Sequence, residues 1–219
     1  MGKEINLLAD YPKSKRNLVD RENFKSEHNV EIARKFGKDF FDGGRETGYG
    51  GFNYNSKYWT NVVKKFKSYW KLDMDSTLLD VGCAKGFMLY DLSLLIPGIN
   101  FKGIDISKYA IDHALDSVKK ELLVANARDL PFENDSFDFT ISINTVHNLE
   151  LDHCAEAIKE ISRVSKKNSF ITVDAYRNDE EKERMYKWNL TAKTIMSVEE
   201  WIIFFKKIDY KGDYYWFIP

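Results

Sequence analysis

The sequence predicts an α/β fold: a mostly parallel sheet of seven strands, or six if the C-terminal part supplies only one, with helices on both faces and a helical N-terminal cap. Three observations predict it. Residues 78–89, LLDVGCAKGFML, compress an apolar run, an acid, two glycines four apart and a second apolar run into a dozen positions. From residue 77 to residue 174 short β-branched runs alternate with segments of helical period, as in right-handed parallel crossovers. Acids stand at the ends of the first two runs, where an open parallel sheet binds its ligands.

Taken in order, residues 1–28 are polar and poorly periodic and read as a mobile arm or irregular cap. From Val30 the spacing of Ala33, Phe36 and Phe40 predicts a helix ending at Gly43-Gly44. Residues 43–55, GGRETGYGGFNYN, hold five of the twelve glycines within nine positions, together with Tyr49, Phe52 and Tyr54. So much glycine excludes helix or stable strand, and the rings suit either a lid over a site or a loop that covers the core. Trp59, Val62, Val63, Phe66 and Trp70 form the core stripe of a helix over Ser56–Trp70.

Residues 77–81 read as a buried strand and 87–96 as a helix stopped by Pro97-Gly98. Strands follow at 101–106, 122–125, 137–143 and 169–174. Ser107 caps one helix carrying Ile111, Leu115 and Val118, and Cys154, Ile158, Ile161 and Val164 face inward from another. Ser197 to Glu200 form a capping box before Trp201, Phe204, Phe205 and Ile208. Residues 213–218 read as a final strand, with 188–195 as the candidate for its partner. The chain divides into residues 1–70, an arm with helices and a glycine-rich loop, and residues 71–219, which carry the sheet.

The composition is balanced, with 43% apolar residues and a net charge of -1. The lysine pairs at 119–120, 166–167 and 206–207 are scattered, so no large footprint for nucleic acid is expected. Two unpaired cysteines point to a reducing compartment and hence the cytoplasm. No stretch is long and apolar enough for a membrane span, and MGKEINLLAD lacks a signal pattern. The aromatic end Tyr214 to Phe217 suits a homodimer contact as readily as an edge strand.

The turn at 82–86 is neither G-x-G-x-x-G, since Ala84 replaces the second glycine, nor a P-loop. It resembles motif I of the class I S-adenosylmethionine-dependent methyltransferases, and residues 129–138, DLPFENDSFD, resemble the family's motif II. The resemblance covers residues 77–174. It implies a Rossmann-like methyltransferase fold of the small-molecule, type 11-like kind, S-adenosyl-L-methionine as cofactor and S-adenosyl-L-homocysteine as product. It further implies that Asp80, Gly82, Cys83, Ala84 and Gly86 cradle the methionine part. Asp105, nineteen residues beyond Gly86, stands where an acid accepts from both ribose hydroxyls; Ile106 lies against the adenine, and Asn126, Ala127 and Asn144 complete the cofactor contacts.

No metal is expected, because the four histidines show no ligand spacing. His147, just past the fourth strand, is the candidate base, with Tyr49 as the second catalytic candidate. Arg45, Tyr54, Asn148, Asp174 and Arg177 are candidate acceptor contacts, the two arginines gripping a carboxylate or phosphate. The expected reaction is methyl transfer to an O or N atom of a small anionic metabolite: a sugar, sugar phosphate or carboxylate. Two other readings remain: a non-catalytic cofactor binder, and a nicotinamide-dependent oxidoreductase, which the missing glycine disfavours. RNA methylation is disfavoured too, because residues 142–145, SINT, lack the Asn-Pro-Pro-Tyr type of motif.

Overall fold

The computed structural model describes residues 2–12, 18–48, 50 and 52–218, the side chains of residues 18–20 excepted. The elements run α1 (Leu18–Phe24), α2 (Glu27–Arg34), α3 (Lys38–Phe41), α4 (Ser56–Trp70), β1 (Thr77–Val81), α5 (Phe87–Leu95), β2 (Asn100–Asp105), α6 (Lys108–Asp112), α7 (Asp116–Lys119) and β3 (Leu122–Val124). They continue with β4 (Phe137–Ile143), a 3-10 turn (Val146–Asn148), α8 (Leu151–Val164), β5 (Ser165–Tyr176), α9 (Asp179–Trp188), β6 (Met196–Ser197), α10 (Val198–Lys207) and β7 (Asp213–Phe217).

The seven strands form one sheet in the order β3-β2-β1-β4-β5, and the far edge of β5 carries β7 and then β6. Period-two alternation sends successive side chains to opposite faces. Leu78, Phe139 and Phe170 face α4 and α5, packing with Val62, Phe66, Trp70 and Leu89. Leu79, Val81, Ile171 and Val173 face α8 and α10, packing with Ile158, Ile161, Trp201 and Phe205. Each such side chain stabilises the fold by about 1.5–3 kcal/mol relative to exposure. Trp70 stacks on Phe139 at 4.7 Å, which fixes α4 against the strands.

Several local expectations are corrected. Of the two expectations for the N-terminal stretch, mobile arm or irregular cap, residues 2–12 fit the second. Ile5 N–H donates to Tyr214 O and Tyr214 N–H to Lys3 O, both at 3.0 Å, so Glu4 bridges β7 in parallel. An edge strand offers an unpaired ladder, and these residues occupy it while Leu7 enters the core. The helix read from Val30 begins at Glu27, where the Ser26 side chain caps it. It stops at Arg34, and Phe36 takes φ +49° before α3.

The single helix expected after Ser107 is two, because Leu115 is extended and its N–H reaches Lys85 O on the glycine turn. The C-terminal half differs as well. Residue 188 ends the helix α9, whose N-terminus Asn178 caps, and the short sixth strand lies at Met196–Ser197 rather than in 188–195. Both β6 and β7 run parallel to β5, so among the described residues the sheet lacks the antiparallel closing pair normal for the expected fold. Tyr214 and Trp216 of the aromatic end are buried, Trp216 stacking on Phe205, so these two rings belong to the core, while Tyr215 and Phe217 are partly exposed. No helix among the described residues is long and apolar enough to cross a membrane.

Candidate active site

The carboxyl ends of β1, β2, β4 and β5 converge on one face, and the turn after β1 shapes its floor. Gly82 has φ +89°, a region open to glycine at little cost, and a Cβ there would lie 2.0 Å from Thr145 Oγ1. Position 82 therefore accepts only glycine while Thr145 closes the end of β4. Ala84 takes φ +50° despite its side chain. Its N–H donates to Asp105 Oδ2 at 2.9 Å, while Asp105 Oδ1 accepts from Ser107 N–H at 2.8 Å. Asp105 thus ties the end of β2 to the turn and still has lone pairs for a ligand diol.

Asp80 and Asp105 are both buried. Burial, and then the charge of Asp105, push Asp80 up to about 8. Asp105 is raised by burial against the pull of its two amide bonds. No Lys, Arg or His among the described residues is ion-paired with either. Two buried acids without a counter-cation, Asp80 still protonated at neutral pH, form a site in which a bound cation would favour the ionised form of Asp80. Cys83, between them, is buried and its thiol is pushed well up, so it is inert packing.

Beyond β2, Ile106 is 56% exposed, with Leu123 and Val124 of β3 also exposed. This apolar surface at the strand ends suits the face of a flat ring. Asn126 is exposed beside it; its Oδ1 accepts from Arg128 N–H at 3.0 Å, fixing the amide in a turn, and Ala127 packs at the margin of the core. Asn144 takes φ +51°, and Thr172 Oγ1 donates to its Oδ1 at 2.8 Å.

His147 differs from the expected open base. It is 2% exposed, and the Asp174 N–H donates to its Nδ1 at 3.2 Å. The ring proton therefore sits on Nε2, which lies 3.5 Å from Asp174 Oδ2. Burial lowers the imidazole below its ordinary range despite the facing carboxylate, and raises Asp174. Asp174 also accepts from Asn189 Nδ2, and its carbonyl accepts from Trp201 Nε1 at 2.9 Å. The pair holds the ends of β4 and β5 together and presents no free ring nitrogen.

The candidate acceptor contacts divide. Asn148 stays beside the site, its Nδ2 donating to Asn144 O at 3.3 Å and its buried Oδ1 unpartnered. Tyr54 donates to Asp91 Oδ1 at 2.5 Å and lines a cleft of about 560 Å³ with Asp42, Phe52, Lys85 and His113. Burial and Asp91 push its hydroxyl up to about 12, so it remains a donor. Arg177 is half-exposed at the start of α9 and lies 3.8 Å from Glu181 Oε1 rather than on the floor. Arg45 is exposed, and its carbonyl accepts from the buried Arg21, which also donates to Trp188 O. Tyr49 lies outside the described residues. Among those described, no three His, Cys, Asp or Glu side chains converge to hold a metal ion.

Sequence reasoning missed Thr145, Arg21 and the ties of Lys85. The small-residue rule at Gly82 hints at the first; the other two depend on long-range packing and leave no local signal.

Comparison with known proteins agrees with this fold. Residues 79–173 match a family model described as a methyltransferase domain. The chain is 34% identical over 147 residues to the tRNA (carboxymethyluridine(34)-5-O)-methyltransferase of Arabidopsis thaliana, a match covering 66% of this chain and 34% of that protein. It is 26% identical over 129 residues to the malonyl-[acyl-carrier protein] O-methyltransferase of Legionella pneumophila, covering 57% of this chain and 44% of that one. In fold it is similar to Haemonchus contortus phosphoethanolamine N-methyltransferase 2, solved with S-adenosylhomocysteine, at TM-score 0.56 and 18% identity over 89% of this chain and 45% of that one. The chain spans between about a third and a half of the length of the curated relatives it matches. Residues 79–173 thus carry a methyltransferase domain, and the strand order agrees with its Rossmann-like fold.

Proposed function

We propose that this chain binds S-adenosylmethionine at the ends of β1 and β2 and transfers its methyl group to a carboxylate oxygen of an anionic acceptor. The observation that carries the reading is the buried, uncompensated pair Asp80 and Asp105 beneath the glycine turn. A cationic nucleoside ligand fits it: Asp105 for a diol, Ile106 for the ring, and negative charge toward the sulfonium and ammonium groups.

When bound, this cofactor supplies an electrophilic methyl carbon, and the protein supplies proximity, orientation and water exclusion. Asp80, protonated in the free protein at neutral pH, gains charge only as a bound cation lowers its pKa, while Asp105 orients the ribose and holds the turn. His147 narrows the class of acceptor to groups that need no base. With both ring nitrogens directed to Asp174, the site offers no open base there. A hydroxyl acceptor would need one, whereas a carboxylate is already ionised at neutral pH and moves no proton on methylation. The names of two relatives support this class, since a carboxymethyluridine and a malonyl group each carry a carboxyl group.

A second reading, favoured by the 34% identity to a protein named for tRNA, places the carboxylate on a modified nucleoside in RNA rather than on a free metabolite. Methyl-labelled cofactor offered with small dicarboxylates, sugar acids and total tRNA separates the two. The proposal expects label that alkali releases as methanol, from the small acids in the first reading and from RNA in the second. Alkali-stable label would instead show methylation of a nitrogen or of a hydroxyl oxygen and overturn the carboxylate assignment. Cofactor binding without transfer to any of these acceptors would favour a non-catalytic binder.

A further inference from the structure

Lys85 sits inside the glycine turn, yet no step above uses it. Its side chain is 5% exposed, and its ammonium donates to Asp42 Oδ1 at 2.5 Å and to Phe52 O at 2.9 Å. Asp42 follows α3 and Phe52 lies ten residues on, so a single cation holds both ends of the glycine-rich segment. Asp42 uses its other oxygen to accept from the Tyr109 hydroxyl of α6 at 2.8 Å. Next to the ribose-type acid, Ser107 Oγ donates to Phe36 O at 2.5 Å. Phe36, Asp42 and Phe52 are therefore pinned to the turn and to the end of β2, the two places assigned to the cofactor.

The turn sets the direction in which Lys85 leaves it. Lys85 stands between Ala84 at φ +50° and Gly86 at φ +74°, and the Ala84 N–H is held by Asp105. Asp105 and the turn thus set the start of the Lys85 side chain, and its ammonium ties Asp42 and Phe52 of the cap to that turn. In the other direction, a cap that lifts off strands a buried lysine without its carboxylate, which is costly.

We infer that Lys85 is a positioning residue that couples cofactor binding at the turn to the seating of residues 36–54 over it, so that each favours the other. The inference rests on the cofactor site proposed above. Such coupling is reciprocal: a variant that frees the cap loses cofactor affinity by the same factor that the cofactor no longer orders the cap.

The test is amide hydrogen exchange of residues 36–54 with and without saturating S-adenosylhomocysteine, in the wild type and in Lys85→Met and Asp42→Asn. In the wild type the ligand slows exchange at least about tenfold; in both variants it slows exchange less than about twofold, and ligand affinity falls about 5- to 50-fold. Static destabilisation alone would raise exchange with and without ligand equally and leave the ligand-dependent difference intact. Asp42→Asn carries the test if Lys85→Met does not fold. Protection that persists in the variants, or ligand binding to the wild type without protection of this segment, overturns the inference alone. If the wild type does not bind the ligand, the functional reading falls and takes the inference with it.

Discussion

Asp80 lies buried at the end of β1 with its acid pushed up to about 8 by burial and by the neighbouring Asp105. In the unfolded chain the same group ionises at about 4. Below that value both states are protonated and the group contributes no pH dependence. As pH rises from about 4, the unfolded state gives up the proton while the native state keeps it until about 8, so the stability this group contributes is lost progressively across that window. Asp80→Asn removes the titration while keeping the volume and hydrogen-bonding capacity of the side chain. At about 1.4 kcal/mol per pH unit, the variant should gain about 3 kcal/mol on the wild type between about pH 5.5 and about pH 8. Urea unfolding of both proteins at those two values measures it directly, because the difference cancels titrations common to both. A difference that stays constant within about 0.5 kcal/mol, or that shrinks as pH rises, would refute the description of Asp80 as a buried acid without a counter-cation.

Further outcomes follow from the same geometry. Gly82→Ala combines a left-handed backbone with a Cβ 2.0 Å from Thr145 Oγ1; it should lower the unfolding free energy by about 2 kcal/mol or more and abolish binding of S-adenosylhomocysteine, read by urea melts and calorimetry. Methyl transfer to a carboxylate should show no rise through the ordinary histidine range, about pH 6 to 7, since His147 stays neutral there; a limb in kcat that disappears in His147→Gln would contradict this. Ile106→Ala should change stability by less than about 0.5 kcal/mol, because the side chain is half-exposed, yet weaken S-adenosylhomocysteine by about 1 kcal/mol in a titration. Ser197→Ala breaks the capping box that opens α10 and should cost about 1 kcal/mol in thermal unfolding, with little effect on ligand affinity.

Much of the sheet and of the geometry of the candidate site was legible because it is local. Asp80, Gly82 and Gly86 lie within seven residues, and Asp105 ends the next strand at a spacing set by one crossover. The stripes on α4 and α8 gave the two faces of the core for the same reason. What the sequence concealed is long-range. Glu4 pairs with Tyr214 across nearly the whole chain, and nothing in a polar N-terminal stretch announces a bridge to an edge strand. Leu115 kept a helical spacing but is extended because its N–H docks on Lys85 O. His147 was correctly placed past β4, but its burial against Asp174, which decides whether it can act as a base, depends on how β4 and β5 meet. Arg177 looked available from its position after β5; Glu181, one helical turn on, holds it.

The most direct test of the cofactor assignment is the thermal midpoint of the purified protein with S-adenosylmethionine, S-adenosylhomocysteine or NADH, alongside Asp105→Ala. At a hundredfold over Kd a ligand adds about 2.7 kcal/mol, a rise of about 5–11 °C for a chain of this size. The account predicts that rise with both adenosyl ligands in the wild type, its loss in Asp105→Ala, and no response to NADH. No shift with either adenosyl ligand, or a shift with NADH alone, would contradict it.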